Sequence, residues 1–191
     1  MSFESYFKSH ITSIENTFQS IDFNLVNQLI DLILNCKGKV FMTGVGKNGH
    51  VAAKAASTFS SIGIPVFFLN PVDSVHGDMG VISDEDIIIA ISKSGNTEEL
   101  VIFLHHVHKK KCEIISIHSN ESNRSLDYST HDIFLPIDKE ADHLNIVPTT
   151  SIAVYTIFLQ SIACEISRRK NLTLEQFVTN HPGGSIGKTK I

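Results

Sequence analysis

Cysteine is scarce in this chain: three residues in 191, Cys36, Cys112 and Cys164. They lie far apart and share no zinc or redox spacing, which excludes a disulfide framework or a cysteine-based metal knot. Each is expected as a free thiol in or near the core, in keeping with a reducing compartment. Basic charge is not in excess either, with 16 Lys and Arg against 20 Asp and Glu and a net charge of −4. No basic stripe offers a surface to nucleic acid. The triplet Lys109-Lys110-Lys111 ends a helix, where cations complement the dipole. No apolar run reaches membrane-spanning length, and residues 1–10 mix charge and polarity without a signal core. Repeats and low-complexity tracts are absent. The expectation is a cytoplasmic protein with neither a nucleic-acid nor a membrane partner.

What is present is a globular composition, 42% hydrophobic and 19% charged, long enough for one α/β domain with a full core. Two helical patterns come first, at 3–18 and 24–36. Strands and helices then alternate. Strands are expected at 39–43, 66–69, 86–91, 113–118 and 132–135. Helices are expected from the glycine loop to 62, at 97–110, at 149–169 and at 173–180, the last opened by a Thr173–Gln176 capping box. Such alternation implies right-handed crossovers, hence a three-layer sandwich with a five-stranded parallel sheet flanked by helices. Ligands bind such sheets beyond the carboxyl ends of the strands. That gathers the loops at 44–49, 70–78, 92–97 and 136–149 on one edge.

The most informative loop is Ser92-Lys93-Ser94-Gly95-Asn96-Thr97-Glu98-Glu99, which follows a buried apolar strand and opens a helix. Unpaired N–H groups at a helix N-terminus suit an anion. The hydroxyls of Ser92, Ser94 and Thr97 add donors, and Gly95 lets the backbone come close. Together they make a cup for a phosphate monoester. The same residue types also make an ordinary capped strand-to-helix turn.

Gly44-Val45-Gly46-Lys47-Asn48-Gly49 matches the dinucleotide fingerprint G-x-G-x-x-G. The following strand, however, ends in Asn70 rather than in the acid that would bind a ribose, and Lys47 adds a cation to the loop. His76, before Gly77-Asp78, can reach a sugar oxygen or simply bond its own turn. Glu99 favours the helix dipole, and Glu140 precedes a second hydroxyl run, Pro148-Thr149-Thr150-Ser151, that suits either substrate oxygens or an N-cap. His105, His106 and His108 read as a solvated helix face. His118, His131 and His143 form no metal-ligand spacing. His181 sits in a stiffened turn, His181-Pro182-Gly183-Gly184.

The stretches Thr43 to His50, His76-Gly77-Asp78-Met79-Gly80, Ile91 to Leu100, Pro148 to Ser151 and His181 to Gly187 appear in this order over roughly residues 20–188. In this combination the chain resembles the sugar isomerase (SIS) domain family, and within it the D-arabinose 5-phosphate isomerases. The resemblance implies the SIS fold and interconversion of D-ribulose 5-phosphate and D-arabinose 5-phosphate, on the way to the acidic sugar Kdo of lipopolysaccharide and capsules. It implies catalytic positions at Lys47, Glu99, Glu140 and His181. It implies substrate-binding positions at Gly46, His76, Ser92, Ser94, Gly95, Thr97, Thr149 and Ser151. No metal or organic cofactor is implied. The partner is a small-molecule sugar phosphate, and the assembly a homotetramer in which the terminal histidine reaches a neighbour's site.

Three departures from the family pattern stand out. Asn70 replaces a frequent histidine that binds inhibitory zinc, so metal inhibition is not carried over. Asp142-His143 replaces a cysteine–proline pair after the second glutamate. The chain resembles the short form, a single domain over 1–191 without the paired CBS domains of the long form. The chemistry agrees with the resemblance, since an enediol route needs a base near carbon, an acid near the oxygens and a counter-charge. The residues do not separate Glu99 from Glu140 as the carbon base. Two other readings stay open: an SIS isomerase for another sugar phosphate, such as a phosphoheptose or a hexulose 6-phosphate, and a non-catalytic sugar-phosphate sensor.

Overall fold

The computed structural model describes residues 2–188. Two capped helices open the chain. In α1 (Phe3–Gln19) Ser2 and Ser5 form a reciprocal capping box, and in α2 (Phe23–Asn35) the Asp22 carboxylate accepts from the N–H groups of Asn24 and Leu25. Five strands follow: β1 (Val40–Gly44), β2 (Val66–Phe68), β3 (Ile87–Ile91), β4 (Glu113–His118) and β5 (His131–Phe134). All pair in parallel, in the order β2-β1-β3-β4-β5. The connecting helices are α3 (Lys47–Ser61), the single turn α4 (Pro71–Ser74) and α5 (Glu98–His108). Two more close the fold, α6 (Thr150–Arg169) and α7 (Leu174–Asn180).

The sheet is buried on both faces, as an all-parallel sheet must be when crossovers lay helices on each side. Alternate side chains serve opposite layers. Met42, Ile89, Ile91 and Ile117 pack with Ala52 and Phe59 of α3 and with Tyr155 and Phe158 of α6. Phe41, Ile88, Ala90 and Ile114 pack with Leu100, Phe103, Leu104 and Val107 of α5. The expected three-layer sandwich is therefore present, with its ends shifted by one or two residues. Lys39 precedes β1 because its N–H is taken by the buried carboxylate of Asp86, at 2.7 Å. Thr97 and Thr149 stand as N-caps rather than first helical residues. Helix α5 stops at His108, and Lys111 turns into the left-handed region (φ 62°).

Short elements had no sequence signal. Helix α4 and the 3-10 turns at Asp78–Val81, Arg124–Tyr128 and Ile186–Lys188 are too brief for periodicity to register. The cysteine expectation needs correction: Cys112 is buried and Cys36 half-buried, but Cys164 faces outward from α6. Helix α6 is long and apolar enough on average to cross a membrane, yet half of its apolar stretch is buried inside this fold. It is the core helix that seals one face of the sheet.

Phe103 is fully buried in the α5 layer. Phe103→Ala is expected to cost about 3–5 kcal/mol, the usual loss for emptying an aromatic site in a packed core. The urea midpoint, at unchanged slope, measures it.

Candidate functional site at the carboxyl edge

The order β2-β1-β3 puts a topological switch between β1 and β3. The chain leaves β1 to one side through α3 and returns past it to β3, so the crevice beyond these two strand ends stays open. Two helices start there. Gly46 is the N-cap of α3 and sits at φ 59°, a conformation that favours glycine, and no side chain caps the helix. Lys47, its first residue, is exposed. Thr97 is the N-cap of α5 and likewise makes no capping bond to the helix. The first N–H groups of both helices therefore have no side-chain cap.

The loop before α5 is held from within and from below. Ser92 is buried, and its Oγ accepts from the Gly95 N–H at 3.1 Å and lies 3.2 Å from Thr97 Oγ1. Ser94 Oγ accepts from the Asn96 N–H at 3.1 Å. Gly95 sits at φ 64°, and a Cβ there would run into the Asn123 side chain. The β4–β5 connection supports the loop. Ser119 N–H donates to Lys93 O and Ser125 N–H to Gly95 O, both at 3.0 Å. Asn120 Nδ2 donates to Ser94 O at 3.2 Å. Asn120 and Asn123 had no sequence signal, because the connection is remote in the chain and carries no motif.

Glu140 is the least expected member. Its side chain is almost wholly buried, and Lys93 Nζ meets Oε1 at 2.7 Å. Oε2 accepts from Thr149 N–H at 2.8 Å, Ser151 N–H at 3.2 Å and Thr149 Oγ1 at 3.3 Å. The N-terminus of α6 is thus filled by a carboxylate of the same chain. Burial alone would raise the Glu140 pKa. The Lys93 ammonium and the donors of Ser151 and Thr149 more than offset it, holding the carboxyl at about 2. The donors of Thr149 and Ser151 go to Glu140 first. Lys93 was not singled out in the sequence; only the fold shows its partner. Two residues on from Glu140, the Asp142 carboxylate accepts from the N–H groups of Leu144, Ile146 and Val147 and so closes this loop.

Lys47, Ser92 to Thr97, Glu99, Glu140 and Thr149 to Ser151 all gather at the carboxyl edge. His76 is exposed just after α4, in the segment that leaves the same end of β2. His181 does not join them within one chain. It caps the end of α7, its Nδ1 3.1 Å from Phe177 O and its ring stacked on Phe177 at 4.2 Å. The adjacent Asn180 donates to Ser61 O at the far end of α3. A helix rising about 1.5 Å per residue puts that end roughly 20 Å from Lys47. Asn70 caps α4 through Val72 N–H and donates to Asp73 at 2.6 Å, so β2 presents no free acid to a ribose. Among the described residues, no three His, Cys, Asp or Glu side chains converge as a metal-binding set.

A profile of the SIS domain matches residues 33–164. This chain belongs to the SIS domain family. It is 35% identical, over 97% of its length, to arabinose 5-phosphate isomerase KdsD of Francisella tularensis, and covers 57% of that protein. It is 32% identical, over 92% of its length, to arabinose 5-phosphate isomerase KpsF of Escherichia coli, and covers 55% of it. The chain thus spans little more than half the length of these curated relatives. A solved structure, Escherichia coli CFT073 c3406 in complex with arabinose 5-phosphate, superposes with a TM-score of 0.90 at 31% identity. That match covers 94% of this chain and 95% of the other.

Two outcomes follow from the SIS site as built. The Glu140 pKa in the folded chain lies below its unfolded value, near 4.5, so its contribution is full above about pH 5 and is lost as pH falls toward 2. That contribution is about 3 kcal/mol, and stability measured by denaturant from pH 6 to 3 should lose its steepest acid component in Glu140→Gln. Gly95→Ala should cost about 1–3 kcal/mol from its positive φ alone, and thermal melts should show it as a lowered Tm.

Proposed function

We propose that this chain interconverts D-ribulose 5-phosphate and D-arabinose 5-phosphate through an enediol, supplying Kdo synthesis. The observation that carries the reading is the similarity, over nearly the whole chain, to the KdsD and KpsF isomerases and to the arabinose 5-phosphate complex. The geometry supports it. A phosphate fits the α5 N-terminus, where uncapped N–H groups meet the hydroxyls of Ser92, Ser94 and Thr97. Gly95 supplies the positive φ that turns the loop over the helix end, with Asn123 packed where a side chain would be. Gly46, His76, Thr149 and Ser151 border the sugar, and Asn48 Oδ1, buried without a partner in the first turn of α3, is an acceptor for a sugar hydroxyl.

The reaction moves one proton from C1 to C2 and one from O1 to O2. The neighbouring carbonyl acidifies the C–H bond, so the residues need supply only a carbon base, an oxygen acid and a positive charge. Lys47 provides the charge that steadies the enediolate. Glu99 and Glu140 are the carboxylates at hand, and His181 serves the oxygens. That His181 lies at the other end of α3 from Lys47 supports a role in a neighbour's site, and the working form in this reading is a cytoplasmic homotetramer.

Turnover of D-ribulose 5-phosphate by the purified chain tests the reading, with arabinose 5-phosphate detected through a Kdo-forming coupling enzyme. Lys47→Ala and His181→Ala should each lose at least about 10²-fold. Mixed and co-assembled, the two inactive variants should regain activity, because some sites then hold both wild-type residues. Binding of ribulose 5-phosphate without turnover would make the chain a sensor instead.

A further inference from the structure

The two glutamates at the edge are not equivalent. Every donor near Glu140 already points at it: Lys93 Nζ at Oε1, and Thr149 N–H, Thr149 Oγ1 and Ser151 N–H at Oε2. Its backbone N–H is fixed too, donating to Asn145 Oδ1 at 2.6 Å. Glu99, in the first turn of α5 beside the phosphate cup, is exposed and accepts no hydrogen bond from any described residue. Its neighbour Glu98 is tied to Arg124 across the loop. Resting on the isomerase reading above, we infer that Glu99 is the catalytic base that carries the carbon proton, while Glu140 and Lys93 are positioning residues, a fixed charge pair plugging the N-terminus of α6.

The proton balance is simple. The Glu99 carboxylate takes hydrogen from C1 of the ketose, and the C–H electron pair forms the C1–C2 double bond of the enediolate as the carbonyl oxygen gains charge. Glu99, its proton open to exchange with water while the enediolate lasts, then delivers a proton to C2, and the O1 proton passes to O2 as the aldehyde forms. A base must hold that proton for part of each cycle. A carboxylate held ionised to about pH 2 by an ammonium and three further donors is ill suited to do so. Other groups around Glu140 do not change this. The Tyr155 hydroxyl of α6 is buried, its pKa raised by that burial, and it bonds Ser119. In the segment around Glu140, Asp138, Lys139 and His143 are exposed, and the Asp142 carboxylate is engaged by three N–H groups.

Deuterium exchange at C1 of D-ribulose 5-phosphate in D2O, followed by NMR, tests the assignment on the full chain. Glu99→Gln should lose exchange by about 10³-fold while the sugar phosphate still raises Tm, and Glu99→Asp should recover part of it. Glu140→Gln should slow exchange by no more than about 10²-fold, the scale of a displaced support. Lys93→Gln should leave the acid limb of the kcat–pH profile where it is. Exchange that survives Glu99→Gln overturns the assignment. If Glu140→Gln also abolishes exchange, through misfolding or otherwise, Lys93→Gln decides. An acid limb moved up by about a pH unit or more would mean that Glu140 titrates in the cycle and would overturn the assignment, whereas an unmoved limb upholds it. Absence of both exchange and turnover in the unaltered chain overturns the isomerase reading and this one with it; turnover without exchange means a shielded proton, and the Glu99→Gln comparison is then read on turnover. Exchange in the unaltered chain that persists in Glu99→Gln overturns this one alone.

Discussion

The hydrogen-bonded pairing of β1 with β3, five residues in register from Val40 with Ile87 to Gly44 with Ile91, is what the rest of the molecule is arranged around. These two strands are buried on both faces, so the chain can leave them only at their ends. It departs from β1 to one side and from β3 to the other, and no connection covers the gap between them. Two helices therefore begin at adjacent points with their N–H groups facing the same crevice. The site is a consequence of strand order before it is a consequence of any particular side chain.

A third helix begins at this edge, and here the charge is managed differently. The N-termini of α3 and α5 lack side-chain caps, whereas that of α6 is filled by Glu140. A buried carboxylate without partners would be costly, and this one persists because Lys93 and the helix N–H groups together outweigh its burial. Lys93 stands in the serine loop, so the ion pair links the β3–α5 turn to α6 across the crevice. One consequence is an edge with two positive helix ends open to a ligand and a third already neutralised. Another is that the two glutamates of this edge sit in different electrostatic surroundings, Glu140 buried and paired and Glu99 exposed.

The fold was largely legible in the sequence. Apolar runs such as Ile87 to Ile91 bounded by loop residues, and helices marked by caps such as Thr173 with Gln176, carry their own periodicity. What escaped were the single turn at Pro71–Ser74 and the three 3-10 segments, each shorter than any period that could announce it. At the site, the serine loop, Lys47 and Glu99 were visible because a strand-to-helix turn concentrates its chemistry in consecutive residues. Asn120, Asn123 and Lys93 were not, because their partners are Ser94, Gly95 and Glu140, contacts made across loops with no local pattern. The outward face of Cys164 was equally unreadable, since a helix as apolar as α6 does not reveal which of its sides the sheet will take.

By itself, the sequence determined the alternation of strands and helices, the parallel sheet and the residue types at each strand end. These depend on local propensity and on hydrophobic period, which neighbouring residues carry. Only the tertiary structure decided which charges meet. Pairing Lys93 with Glu140, committing Thr149 and Ser151 to that carboxylate and leaving Glu99 unengaged all follow from how the loops close over the sheet edge. The tertiary structure also put His181 near the far end of α3 from Lys47, where the adjacent Asn180 donates to Ser61 O. Electrostatic roles depend on distance and burial, and neither is a property of a residue's place in the chain.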